Sequence, residues 1–233
     1  MKNKEPFILI AACLMLLPGT MAEAQETKAQ QQPPRNMVRI EGGYALTGLK
    51  KENFSPWGKD YYRQLKGGPA VTAGYSRLLK QGRKDDFLYL GVEYRHLDVS
   101  SGEYTVKEAG SLVEDHVRLH YVAPQVTEIW QFAKQWRTHI GAGLGYALYN
   151  NNGKKDGAAC VTNAHGLGLN IDVRLEWMAG ERFSITAGLE AMTGWYWNLR
   201  RKQGGAMEKI RLNDDYGFSP TYGGFMAGFR YYW

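Results

Sequence analysis

The chain has 233 residues, with 29 Lys and Arg against 23 Asp and Glu, a formal net charge of +6, and two cysteines. This length fits one domain. One cysteine lies in the N-terminal leader described next, so Cys160 is left alone, which excludes an intramolecular disulfide and a cysteine metal cluster. Outside that leader no apolar run approaches about 18 residues, so the sequence predicts no transmembrane helix.

Residues 1–24 have the pattern of a secretory signal peptide. A basic start precedes an apolar run over 7–19, which is too short to cross a bilayer comfortably as a helix. Residues 22–24, Ala-Glu-Ala, form a small-x-small cleavage site at the end of the leader. Lipoprotein processing at Cys13 is the alternative, although the apolar run continues beyond that cysteine. Residues 25–36 are polar and contain proline, so we expect a disordered lead.

The remaining chain, 37–233, alternates apolar residues with small or polar ones at the period of two that is typical of β-strands. We predict eight strands, the fourth of which begins near His116: 37–47, 69–79, 87–97, 116 onward, 137–149, 165–177, 183–196 and 221–233. Pro124 interrupts the fourth strand, and we expect a bulge or an irregular stretch there because proline cannot donate to the ladder.

The connections between these strands alternate in length. Long connections are predicted at 48–67, 99–114, 151–164 and 197–219, and short ones at 80–86, 132–136 and 178–182. An up-and-down membrane barrel collects short turns at one end and long loops at the other, whereas a Greek-key sandwich does not sort its loops in this way. The sequence therefore predicts an all-β fold, an eight-stranded antiparallel up-and-down transmembrane β-barrel.

Each strand has one apolar face and one polar face, and the polar face indicates which of them points inward. A soluble barrel such as a lipocalin fills its interior with the apolar face. Here the polar face combines many glycines with charges of both signs, which suits the crowded lumen of a narrow barrel. We therefore predict lipid contact for the apolar face and a lumen network of Arg39, Glu41, Glu93, Arg95, Arg118, His120, Asp172, Arg174, Glu176, Glu190 and Arg230.

The C-terminal residues GFRYYW resemble the assembly signal of bacterial outer-membrane proteins, with aromatic side chains at Phe229, Tyr231 and Trp233. The segment from Arg118 to Tyr149 is similar to the central strand pair of the small outer-membrane β-barrel family, which includes OmpA-like and OmpX-like proteins. The resemblance covers 37–233. It implies the outer membrane of a Gram-negative bacterium, insertion by the barrel assembly machinery with periplasmic chaperones, and no catalysis. We also expect a monomer without a cofactor or a bound metal.

A cluster near the outer rim raises the alternative of catalysis. The third and fourth strands are expected to bring a histidine and a carboxylate to one height, where such a pair activates a serine toward a lipid ester. The residues are Glu93, Arg95, His96, His116, Arg118 and His120, with Ser100, Ser101 or Ser111 as the nucleophile. A buried network that keeps the lumen closed is the favoured interpretation, and a divalent metal at His116 and His120 is a weaker alternative.

The first and last long loops are basic and interleaved with aromatic residues. Phosphates of the outer leaflet attract such side chains, so we predict lipopolysaccharide contact for Lys50, Lys51, Lys59, Arg63, Arg200, Arg201 and Lys202. Solvated loops are the alternative, and export argues against nucleic acid as a partner. Cys160 is predicted in a loop.

Taken together, these features predict a structural, adhesive or lipopolysaccharide-associated protein of the outer membrane. The alternatives are a hydrolase acting on outer-leaflet lipid and a soluble secreted barrel carrying a small ligand.

Overall fold

The computed structural model describes residues 34–48, 65–82, 86–105, 110–211 and 220–233. The expected signal peptide, most of the lead, and Lys50, Lys51, Lys59 and Arg63 lie outside the described residues. The strands are β1 (Asn36–Thr47), β2 (Gly67–Gln81), β3 (Asp86–Ser100), β4 (Tyr104–Thr105), β5 (Leu112–Glu114), β6 (His116–Ala133), β7 (Trp136–Lys155), β8 (Ala158–Met178), β9 (Phe183–Gln203), β10 (Ala206–Arg211) and β11 (Thr221–Tyr232). Within the described ranges there is no helix long and apolar enough to cross a membrane.

Eight of these strands close into a ring. Each pairs antiparallel with the next in the order β1, β2, β3, β6, β7, β8, β9 and β11, and β11 returns to pair with β1 from Met37↔Tyr232 to Thr47↔Tyr222. The predicted eight-stranded up-and-down barrel is therefore confirmed. The other three strands extend the wall at one end, where β5 pairs with β7, β4 pairs with β5, and β10 pairs with β9.

The two ends of the barrel differ, as the alternation of connection lengths predicts. At the lower end, Asn36 N donates to Trp233 O at 2.9 Å and Trp233 N donates to Asn36 O at 3.1 Å. The short connections β2–β3, β6–β7 and β8–β9 lie at this same end. In outer-membrane barrels the short turns are periplasmic, so the opposite, upper end is the extracellular one.

The prediction of long loops at 151–164 and 197–219 is wrong for the described residues. Paired strands continue through these segments and form tall hairpins. Strands β7 and β8 continue to a two-residue turn at Asp156 and Gly157, with φ of 51° and 77°. Asp-Gly favours such a turn because both residues tolerate positive φ. Gly204 and Gly205 make the equivalent turn between β9 and β10, with φ of 56° and 88°. Cys160 accordingly lies in β8.

The apolar face points outward over the middle of the barrel, as predicted. Ile40 is 60% exposed, Leu144 56% and Leu189 64%, although all three belong to well-paired strands. Lipid covers such side chains in a membrane, where every strand must also be hydrogen-bonded to its neighbours. Large aromatic residues flank this belt on the outside at both ends, which is typical of membrane interfaces. They include Tyr44, Tyr94, Tyr146 and Trp195 above, and Tyr75, Trp136, Trp177, Tyr231 and Trp233 below.

The predicted orientation of the fourth strand is wrong. In β6 the apolar residues Val117, Leu119, Tyr121 and Ala123 face the lumen, whereas His116, Arg118 and His120 face outward. A bulge at Pro124 is absent, since Val92↔Pro124 continues the β3–β6 register. On the other side the β6–β7 ladder has no pair between Val122↔Tyr146 and Gln125↔Gly143, so the predicted irregular stretch is confirmed as a local interruption of that ladder. The register shift of this strand lies between Gln131 and Ala133.

The polarity of the wall inverts above the membrane, and this explains the error in β6. An apolar cluster fills the upper lumen; it includes Leu97, Val99, Val117, Leu119, Tyr149, Tyr196 and Tyr222. Outside the same part of the wall lie polar residues such as His96, Asp98 and Asn150. Where water replaces hydrocarbon outside, the hydrophobic effect draws the apolar residues to the interior. The inversion therefore marks the upper edge of the hydrocarbon layer.

Candidate functional site

The middle of the lumen holds a layer of ion pairs between two apolar layers. The upper apolar layer is the cluster described above, and the lower one contains Met37, Phe87, Tyr89, Ile129, Met178 and Tyr232. The layer between them holds nine of the predicted lumen residues, each at most 4% exposed: Arg39, Glu41, Glu93, Arg95, Asp172, Arg174, Glu176, Glu190 and Arg230. An eight-stranded barrel is just wide enough for side chains to fill it.

Asp172 on β8 lies at the centre of the upper half of this lumen network. Its Oδ2 accepts hydrogen bonds from Arg95 Nη2 and from Gln125 Nε2, both at 2.7 Å. Arg39 Nη1 donates to its Oδ1 at 3.4 Å. Glu93 forms ion pairs with both Arg39 and Arg95. One carboxylate thus connects β1, β3, β6 and β8 across the lumen.

Arg174 connects the two halves of the network. Its Nε donates to Glu41 Oε2 at 3.0 Å, and its Nη2 donates to Glu190 Oε2 at 2.9 Å. Glu190 Oε2 also lies 3.1 Å from Arg95 Nη1. Because a buried charge is tolerated only with a partner, each of these side chains depends on the others.

The lower half contains His139, which was not among the predicted lumen residues. His139 Nε2 lies 2.6 Å from Glu176 Oε2, and Tyr232 OH donates to Glu176 Oε1 at 2.7 Å. Arg230 contacts the other ring nitrogen, Nδ1. An arginine only donates, so Nδ1 must accept and the ring proton lies on Nε2. His139 is therefore a neutral imidazole that donates to Glu176.

The charges of the network nearly balance. Five carboxylates face four guanidinium groups, which leaves one excess negative charge (5 − 4) when His139 is neutral. Gln125, which bridges Arg39 and Asp172, and Asn170, which accepts from Tyr121 OH at 2.7 Å, add neutral hydrogen-bonding groups to the layer. The sequence predicts Asn170 on the inward register, whereas Gln125 belongs to β6, whose orientation is predicted wrongly. An uncharged amide gives no further signal of a role in the lumen.

Glycines on the inner face provide the room for these large side chains. A Cβ added to Gly141 would lie 2.9 Å from Asp172 Oδ2, and one added to Gly188 would lie 2.9 Å from Arg174 Cδ. Both separations are shorter than ordinary carbon contacts. The glycine-rich character of the inner face is therefore a packing requirement of the ion-pair layer.

The structure does not assemble the predicted hydrolase cluster. Glu93 and Arg95 point into the lumen, whereas His96, His116 and His120 lie on the outer surface of the same wall. His116 Nε2 instead pairs with Asp98 Oδ1 at 2.7 Å on the outside. Among the proposed nucleophiles, Ser101 Oγ accepts a hydrogen bond from Asp115 N at 2.8 Å, and Ser100 is exposed opposite His116 in the register. No group of three or more ligating side chains suited to a metal occurs in the described part of the chain.

The outer surface above the belt is organised in rows that run across the strands. The aromatic row lies at the edge of the hydrocarbon layer. It consists of residues that are cross-strand neighbours on successive strands: Tyr94, Val122, Tyr146, Leu167 and Trp195. The histidine row above it pairs His96, His120, Leu148, His165 and Asn198. The arginine row, one step higher, pairs Asp98, Arg118, Asn150, Asn163, Arg200 and Lys209.

The three described basic residues of the predicted lipopolysaccharide contact lie on the extension of β9. Arg200 and Lys202 are exposed and share the outward side of the strand, and Lys202 pairs with Met207 of β10. Arg201 lies on the other side, shared with Leu199, which packs against the upper core. These residues therefore belong to a regular sheet above the membrane and not to a loop.

A partly buried carboxyl group, that of Asp115, lies above the upper core at the extracellular end. Asp115 Oδ1 accepts from Asn151 Nδ2 at 2.7 Å, and its backbone is held by Ser101. Burial raises the pKa of the Asp115 carboxyl to about 6. The positive charge of Arg201 opposes this shift of the pKa.

The chain matches no protein-family model, and it matches no curated protein. Among solved structures it is similar to a major outer membrane protein from Thermus thermophilus, with a TM-score of 0.52 at 14% identity over 85% of this chain and 99% of that one. It is also similar to Neisserial surface protein A, with a TM-score of 0.50 at 12% identity over 85% of this chain and 97% of that one. Such identities show the fold alone. The fold and the lipid-facing belt together make the chain a β-barrel protein of the outer membrane.

Proposed function

We propose that this barrel is a non-catalytic structural protein that associates with lipopolysaccharide through the basic side chains of its outer surface. The observation that carries the proposal is the position of the arginine row. Arg118, Arg200 and Lys209 point outward, two steps above the aromatic row that marks the hydrocarbon edge. The headgroup layer lies above the hydrocarbon edge and its phosphates attract basic side chains. Charge-assisted hydrogen bonds between arginine and phosphate are among the strong ones.

Two further features support this role. Arg200 and Lys202 lie on paired strands, so little side-chain and backbone ordering is needed on binding. The lumen, in contrast, is filled at mid-height by buried ion pairs and above by the apolar cluster. A substrate has no access to the buried carboxylates in this arrangement, which supports a structural role for the lumen network.

Lipopolysaccharide binding by the purified barrel in detergent tests the proposal. We expect Arg200→Gln combined with Lys202→Gln to weaken binding about tenfold at low salt, and less at high salt because screening already weakens the contact. Lys134→Gln combined with Arg182→Gln is the matched control, since these exposed cations lie at the periplasmic end. Equal binding by both double variants would overturn the proposal.

The hydrolase alternative has its own test in cells. We expect His116→Ala combined with His120→Ala to leave the composition of lipid A unchanged. A change in its acyl chains would show that the outward histidines act on lipid.

A further inference from the structure

The histidine row contains three of the five histidines in the chain, although nothing in the lumen or in the proposed phosphate contact requires them there. His96, His120 and His165 all point outward, directly above the aromatic row. Imidazoles at the edge of the hydrocarbon layer contact neither lipid acyl chains nor bulk water. They lie at the height of lipid headgroups, where a ring that donates hydrogen bonds meets phosphate and sugar oxygens.

Two tyrosine–histidine pairs orient two of these rings. Tyr94 OH lies 2.9 Å from His120 Nδ1, and Tyr146 OH contacts His165 Nδ1. The ring of His96 lies 4.7 Å from that of His120, centroid to centroid, and supports it from β3. A tyrosine that donates to Nδ1 fixes the ring proton on Nε2. Among the described residues none is hydrogen-bonded to Nε2 of His120 or of His165.

A groove of about 250 Å³ lies between the two pairs, on the outer face of β6 and β7. It is lined by His120, Tyr121 and Val122 of β6 and by Tyr146 and Leu148 of β7. Arg118 and Asn150 occupy the next outward positions above it. Its floor is therefore apolar toward the membrane centre, and its upper edge is polar and cationic. An outer-leaflet lipid has the same order of polarity along its length.

The position of the groove decides what fills it. Val122 and Tyr146 are 46% and 49% exposed on the lipid side of the wall, so in the membrane the neighbouring molecule is a lipid. Asp98 is the nearby carboxylate, but His116 at 2.7 Å and Arg118 at 3.5 Å already pair with it. Nε2 of His120 and of His165 is the ring nitrogen that the tyrosine does not contact. In the tautomer in which the tyrosine hydroxyl donates to Nδ1, Nε2 carries the ring proton and suits an anionic oxygen.

We propose that this groove holds one phosphorylated lipid of the outer leaflet, with its phosphate on His120 and His165 and an acyl chain along Val122 and Tyr146. The inference rests on the proposed association with lipopolysaccharide and gives it a defined site. The arginine row then contacts the more distant sugars and phosphates of the same layer. The apolar floor distinguishes this site from one for free phosphate.

Native mass spectrometry of the detergent-solubilised barrel tests the site, with lipid A, dephosphorylated lipid A and inorganic phosphate as probes. We expect His120→Gln combined with His165→Gln to weaken lipid A binding at least tenfold and to leave the weak binding of the dephosphorylated form unchanged. Val122→Trp keeps both histidines but fills the groove from the lipid side, and we expect a similar loss. His116→Gln is the matched control, since this histidine lies outside the groove, and it is expected to bind as the unmodified chain does.

The outcomes separate the site from the proposed function. If lipid A binding is lost in the Arg200 and Lys202 double variant but kept in the groove variants, the groove proposal is wrong and the general association stands. If the unmodified barrel does not prefer lipid A to its dephosphorylated form, both are wrong. If inorganic phosphate binds with the same affinity as lipid A and displaces it, the groove proposal is also wrong, because the apolar floor then contributes nothing to binding. A heat-dependent shift in gel mobility verifies that every variant is folded.

Discussion

The exchange Asp172→Asn tests whether the lumen network stabilises the barrel as its geometry indicates. Asp172 is 1% exposed and accepts from Arg95 at 2.7 Å, Gln125 at 2.7 Å and Arg39 at 3.4 Å. Asparagine keeps the shape but leaves two buried guanidinium groups without this counter-charge. Breaking a buried pair by removing one partner costs roughly 3–5 kcal/mol. We expect a loss of about 3 kcal/mol in the free energy of unfolding, since Glu93 and Glu190 still pair with Arg95.

The total charge of the layer is not the cause of this loss. The exchange changes five carboxylates and four arginines into four of each, so the sum becomes balanced while the local pairing is lost. Electrostatics summed over the whole lumen therefore predicts a stabilisation, and local pairing predicts a destabilisation. The two accounts differ in sign, which makes the measurement decisive.

Urea unfolding of the barrel in lipid vesicles, followed by tryptophan fluorescence and by gel mobility without heating, measures the difference. The denaturant slope should stay the same, because the area exposed on unfolding is unchanged. Asp98→Asn is the control: its ion pairs with His116 and Arg118 are partly exposed on the outside, and such pairs contribute about 0–1 kcal/mol. A cost below about 1 kcal/mol for Asp172→Asn would refute the local-pairing account.

Three further predictions test other parts of the barrel. Gly141→Val should cost roughly 1–3 kcal/mol in the same unfolding assay, because its side chain collides with Asp172, whereas Gly180→Ala at an open turn should cost little. The Asp115 carboxyl has a pKa of about 6 when folded against about 3.9 when unfolded, so the folded state binds more protons between these values, and local stability should rise by about 2 kcal/mol from pH 7 to pH 4.5. Hydrogen exchange of the Ser101 amide, which donates to Asp115 O at 2.8 Å, measures this, and Asp115→Asn should abolish the pH dependence. Phe229→Ala combined with Trp233→Ala should reduce the heat-modifiable barrel in the outer membrane several-fold if these residues form the assembly signal, whereas Phe225→Ala on the same outward face should not.

The pattern of residues along the chain was enough to predict the number of strands in the ring, their order and the inward face of seven of them. Within the membrane the period of two has an unambiguous physical cause: hydrocarbon lies outside each strand and a polar lumen inside. Arg39, Asp172 and Arg230 were assigned inward on this basis, and the structure places them there. The outward aromatic side chains of β11 follow from the same cause, because lipid covers them.

The orientation of β6 and the partners within the lumen, in contrast, follow from the folded barrel alone. Above the hydrocarbon the solvent changes from lipid to water, so the same alternation has the opposite meaning, and periodicity in one strand does not show where that change occurs. The sequence pattern predicts Arg118 and His120 inside for this reason, whereas the cross-strand register puts them in outward rows with residues distant in sequence. Arg118 and Arg200, for example, belong to one row, with Asn150 and Asn163 between them on β7 and β8. The groove between β6 and β7 likewise depends on which residues stand side by side, because a binding surface is made by neighbouring strands and not by any one of them.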